Sequence, residues 1–145
     1  MRSFPKTLAE RGTRTQATID RYFEHPFSWR GAHCIKLTAA QAKAMGHKVP
    51  PLPVFRSAVG AKKALAKRGV SSVTELLDQH FTRLPAPAFA LLGDLCVLPG
   101  EEGLDTVCIS DGQGNLWGWH GADPSRLSAI KFAGDSITAA WALGR

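Results

Sequence analysis

FSWRGAHCIKLTAAQAKAM, residues 27–45, is the stretch that decides the fold. An aromatic turn (Phe27, Trp29, Gly31) leads to Cys34, and a helix-forming run follows from Ile35 to Met45 until Gly46 stops it. A cysteine in the first turn of a helix meets unpaired backbone N–H groups and the positive end of the helix dipole, which together favour a thiolate. That is the placement a cysteine nucleophile needs. The same place also suits a cysteine used as a small buried hydrophobe. Phe27 and Trp29 are expected to pack beneath the helix and fix its direction.

Upstream, Thr15–Glu24 sets Ile19, Tyr22 and Phe23 close to one helical face, and His25-Pro26 ends the run. Residues 1–14 read as a basic arm, with Phe4 and Leu8 as anchors to a neighbour. Downstream, HKVPPLPVF (47–55) is Pro-rich and extended. Ser57 caps a helix over 58–68 that stops at Gly69, and Ser72 with Glu75 forms a capping box for a helix over 73–81. Then the pattern changes. LPAPAFALLGDLCVLPG (84–100) carries a Gly-Asp turn before a short strand, Leu95–Leu98. Further strands are expected at Thr106–Ser110, Leu116–His120, Leu127–Phe132 and Ile137–Leu143, with a tight turn at DGQGN (111–115). Helices first and a five-strand antiparallel meander after them make an α+β fold, one domain over 15–145.

A chain of 145 residues with 44% hydrophobic and 21% charged side chains is long enough to bury a real core. No apolar run approaches the roughly 20 residues of a membrane span, and the N-terminus lacks the apolar core of a secretory signal. Cys34, Cys96 and Cys108 are an odd, widely spaced set without a CxxC pair, which fits a reducing compartment or a particle assembled in the cytoplasm. The net charge of +6 is uneven: residues 1–70 carry 14 Lys/Arg against 3 Asp/Glu, residues 71–145 carry 4 against 9. No aromatic is interleaved with the basic cluster at Lys62–Arg68, as a nucleic-acid stacking surface requires, so the cluster reads as solvated helix faces.

FSWRGAHC (27–34), SAVGAKKALAKRG (57–69), LLGDLCVLPG (91–100), TVCISDGQGNLWGW (106–119) and ITAAWALGR (137–145) occur in an order that resembles NlpC-type cell-wall endopeptidases, a compact branch of the papain-like cysteine peptidases. More narrowly, the chain resembles small phage and prophage proteins of unknown function encoded among tail genes. The resemblance implies an NlpC-type domain with Cys34 at the nucleophile position. It also implies departures. His33 stands where the peptidases have Asp, and Thr106 stands where they have the catalytic His. The third, orienting position falls near Trp117 or Gly118, and neither can orient an imidazole.

A cysteine peptidase needs a thiolate, an imidazole within reach and a group that fixes the imidazole tautomer. His33 is a poor base for Cys34, because neighbouring helical residues point about 100° apart. His120, at the end of the strand expected beside Thr106, is the best substitute; otherwise it is an ordinary polar residue at a strand end. A zinc site can be written from His33, Cys34, Cys96, Cys108 and His120, but the set lacks the paired short spacings of structural zinc, so neither metal nor cofactor is expected. Cys96 and Cys108 read as core, and Asp94 reads as a turn residue. Strand alternation puts Trp117 and Trp119 on one face, and with Pro50, Pro51 and Pro53 they are the candidates for subunit contacts. The resemblance therefore implies a structural component of a bacteriophage tail tip or baseplate, made in the host cytoplasm and resident in the virion. Its partners would be other tail proteins: hub, distal tail protein, central fibre. An active peptidoglycan hydrolase using Cys34 is the alternative, and a basic nucleic-acid-binding protein the distant one.

Overall fold

The computed structural model describes residues 3–29, 31–51, 56–100, 104–120 and 123–145. Four helices come first: α1 (Leu8–Tyr22), α2 (Cys34–Ala44), α3 (Ala58–Lys67) and α4 (Val73–His80). Six strands follow: β1 (Thr82–Arg83), β2 (Leu95–Leu98), β3 (Thr106–Ser110), β4 (Asn115–His120), β5 (Asp123–Lys131) and β6 (Ala139–Ala142). They form one antiparallel sheet in the order β1-β6-β2-β3-β4-β5. The fold is α+β. The sheet has one strand more than expected, because the two-residue β1 pairs Thr82 and Arg83 with Ala142 and Trp141.

The caps work as the sequence indicated. Ser57 Oγ accepts from Gly60 N at 3.1 Å, and Ser72 Oγ accepts from Glu75 N at 3.1 Å while Glu75 returns a bond to Ser71 N. The largest correction is α1. It begins at Leu8, seven residues before the expected start, so the second half of the expected arm is helical. Thr7 caps it by accepting from Glu10 N at 3.1 Å. Its buried stripe is Arg11, Thr15, Thr18, Ile19 and Tyr22. That is helical spacing made mostly of polar residues, and a search for apolar periodicity passes over it.

Both sheet faces are covered. Leu95, Val97, Val107, Ile109, Trp119 and Trp141 point to the helix layer and meet Ile19, Tyr22, Leu37, Met45, Leu65 and Leu77. Cys96, Leu98, Cys108, Leu116 and Ala140 point the other way, under Leu84, Ala90, Phe132 and Ile137 from the connecting segments. β2 and β6 are accordingly buried along their whole length, which is why they read as unbroken apolar runs.

Candidate functional site

α2 starts at Cys34 because His33 is its N-cap. His33 is extended (φ −142°, ψ 169°), and its Nδ1 accepts from Lys36 N at 3.3 Å. The ring is 2% exposed. Burial, with the Lys36 charge second, pushes its pKa down to about 4, so it is a neutral acceptor at pH 7. Trp29 lies 6.3 Å from it, ring to ring, and sits edge-on to Phe27 at 5.1 Å. Both aromatics are only half-buried, and Phe27 leans on Trp119 (6.3 Å) rather than lying fully beneath α2.

Cys34 is packed against β3. The backbone N–H groups of Val107, and of Cys34 and Ile35 in its own helix turn, lie near enough to the thiol to favour its charged form. The Val107 N–H is available because Ser110 N bonds Asp94 O toward β2, and alternation turns the amide of Val107 to the opposite side. On that side β3 pairs with β4 at Ile109–Trp117 and Ser110–Leu116. The three N–H groups favour the thiolate, yet burial outweighs them and the pKa is raised. Cys34 is half-buried by exposed area, and the direction of the shift runs against the expectation of a helix-activated thiolate.

The expected partners do not join Cys34. His120 is 7% exposed, its Nε2 lies 3.0 Å from Leu116 O, and its ring meets Phe132 at 5.3 Å. Leu116 and Phe132 belong to the sheet face away from the helices, whereas Cys34 packs against the helix-side core. Thr106 faces Leu98 across β2–β3, and Leu98 is also on that outer face. The other imidazoles have their own partners. His47 Nε2 accepts from Gly144 N at 2.8 Å, His80 packs on Phe81, and His25 meets Tyr22 edge-on. At the third position, a Cβ on Gly118 would lie 2.8 Å from Cys108 Sγ, so no orienting side chain fits there.

Trp117 and Trp119 differ in exposure. Trp119 is 7% exposed; its Nε1 donates to His25 O at 2.7 Å and its ring meets Tyr22 edge-on at 6.2 Å. Trp117 is half-buried against Phe23. Alternation does set the two on one face, but that face is the helix-covered one. Pro50 and Pro51 are exposed, and Pro53 lies outside the described residues.

The strongest polar cluster escaped the sequence reading. Asp94, fully buried, accepts four bonds: from Arg11 Nη2 (2.9 Å), Leu143 N (2.9 Å), Leu91 N (2.9 Å) and Arg145 Nη2 (2.6 Å). Arg11, itself buried, also donates to Leu92 O and Leu143 O. Gly93 (φ 93°) is fixed by its neighbours: a Cβ there would meet Thr15 Oγ1 at 2.7 Å, and Gln41 Nε2 reaches both Thr15 Oγ1 and Gly93 O at 3.0 Å. The Gly-Asp turn thus ties α1, α2 and the C-terminal strand together. A buried, fully bonded carboxylate of this kind is structural.

With the geometry in place, comparison with known families gives one match: a domain of unknown function, DUF6950, over residues 6–143. The chain belongs to DUF6950. No curated protein matches it, and no solved structure does. The DUF6950 match runs from before α1 to Leu143, so it takes in both ends of the Asp94 cluster, Arg11 and Leu143. Among the described residues, no group of three or more His, Cys, Asp or Glu is placed to hold a metal ion, and the zinc set written from the sequence is divided by the sheet. Cys96 and Cys108 face each other across β2–β3 as free thiols, with burial pushing Cys96 up to about 12 and Cys108 also upward. No described helix is long and apolar enough to cross a membrane.

Proposed function

We propose that this chain is a structural component of a bacteriophage tail tip or baseplate, built on a degenerate NlpC-type domain. The tail context rests on the motif order from FSWRGAHC to ITAAWALGR. The non-hydrolytic half of the reading rests on one observation: the ring of His120 packs on Phe132 with its Nε2 at Leu116 O, on the sheet face away from the core that Cys34 packs against. A thiol without an imidazole to take its proton has no route to an acyl-enzyme. The domain then serves as a rigid body among other tail proteins: hub, distal tail protein and central fibre. The virion is its place of residence. Two measurements test this. Mass spectrometry of purified particles, with and without the gene, is expected to find the protein in tails and to find tails defective without it. Purified protein is expected to release no muropeptides from cell wall. Release that disappears in Cys34→Ala would replace this reading with the hydrolase, and particles free of the protein would remove the tail assignment.

A further inference from the structure

A groove opens between α2, the chain at Lys48–Pro50 and α4. Its floor is apolar: Ile35, Ala39, Val49, Leu76, Leu77 and Phe81. Its rim carries Lys48, Arg68 and His80. The groove is half open to solvent and holds about 40 Å³, a few times the ~10–15 Å³ that one water needs by the same measure. That suits one inserted side chain rather than a whole small molecule.

Among the described residues, Lys48 and Arg68 on the rim have no carboxylate partner. Ion pairs among the described residues are Arg11–Asp94, Arg145–Asp94 and Arg83–Asp78, and none includes Lys48 or Arg68. The acids of α4 are used elsewhere: Glu75 caps Ser71 N, and Asp78 holds Arg83 and Trp141 Nε1. Arg68 is steadied over the groove by its bond to Pro51 O at 2.7 Å. The groove also lies mainly in the half of the chain with 14 Lys/Arg against 3 Asp/Glu, so the longer-range field has the same sign as the rim.

We propose that the groove docks an acidic segment of a partner protein, which inserts one apolar side chain and sets its flanking carboxylates on Lys48 and Arg68. The division of labour follows from the lining. The apolar floor supplies a desolvated anchor site, and the unpaired cations supply orientation and selection against neutral or basic segments. The inference goes beyond the tail reading and stands without it, because it uses only the lining and its charges.

The test uses the intact chain and a short fluorescein-labelled peptide with a single Phe flanked on both sides by Asp and Glu. Wild type is expected to bind it, with backbone amide shifts at Ile35, Ala39, Leu76 and Phe81. Replacing the Phe by Gly, or the acids by Asn and Gln, is expected to weaken binding about tenfold or more. The double variant Lys48→Glu/Arg68→Glu should lose binding to the same degree, and Leu76→Trp, which fills the groove and keeps the charge, should lose it too. Circular dichroism confirms that each variant is folded. Raising salt from about 50 to about 500 mM should also weaken the complex. Shifts confined to another face, equal binding of the Gly peptide, or undiminished binding by the double variant would overturn the proposal. So would the absence of any shift, or concentration-dependent shifts without peptide that place a second copy of the chain in the groove.

Discussion

Replacing His33 by Asn should flatten the acid side of the stability curve. In the folded chain His33 is buried and accepts the Lys36 N–H, and its pKa falls from 6.5 to about 4. Between those values the unfolded chain takes up a proton that the folded chain refuses. Stability is therefore complete above about pH 6.5 and is lost as pH falls toward 4. The whole shift corresponds to about 3 kcal/mol, of which about 2.5 kcal/mol is gone by pH ~4.5. Protonation would turn Nδ1 from acceptor to donor, so the lost cap is part of the same figure and is not added to it. Asn keeps the cap, because its Oδ1 can take the Lys36 N–H and Asn is among the best N-cap residues. Losing the ring beside Trp29 costs the same at every pH, so the difference in pH dependence is the quantity to read. Urea unfolding of wild type and His33→Asn at about pH 7.5 and pH 4.5 gives it. His47, also lowered by burial, contributes in the same direction to both proteins and cancels. Parallel pH profiles would refute the reasoning, as would an NMR titration of the His33 ring with a midpoint near 6.5.

Asp94→Asn should cost about 3–5 kcal/mol, because it leaves the buried Arg11 guanidinium without its counter-charge. The double change Asp94→Asn/Arg11→Met should cost less than the two single changes together; additive losses in urea unfolding would mean the two do not act as a unit. Iodoacetamide should label Cys34 in the folded protein more slowly than in the unfolded one at about pH 7.5, since burial raises its pKa. Faster labelling in the fold would show an activated thiol. Gly118→Ala should destabilise by about 1–3 kcal/mol through its clash with Cys108 Sγ, and Cys108→Ala in the same chain should recover much of that. Failure of the rescue would locate the strain elsewhere.

Local chemistry made much of the fold legible. Ser57, Ser72 and the glycines after α2 and α3 each act within one turn, so the helices they bound lie where expected. What needed partners distant in sequence was not legible. α1 buries Arg11 only because Asp94 awaits it across 83 positions, and β1 exists only because β6 returns beside it. The Gly-Asp turn looked like an ordinary turn for the same reason. Its Leu91 N bond is local, while the Arg11, Leu143 and Arg145 bonds are not.

The candidate site shows where strand period alone stops short. Alternation along β4 sets Trp117 and Trp119 on one face and so sends Gly118 and His120 to the other. That much is visible in NLWGWH. Which face the helices cover is not, and that choice decides the chemistry. Trp119 meets Tyr22 of α1 and Phe27 beside it, so the tryptophan face is the helix face, and Cys34 packs on that side too. Once the tryptophans turn inward, Gly118 turns outward, and His120, past a register shift in the β4–β5 ladder, packs on Phe132 of the outer face. An imidazole able to meet that thiol from the sheet has to come from an inward position of β3 or β4. The inward positions along these strands, Val107, Ile109, Trp117 and Trp119, are filled by apolar and aromatic side chains packed into or against the core. Packing of the sheet thus fills the places from which an imidazole on β3 or β4 would meet Cys34.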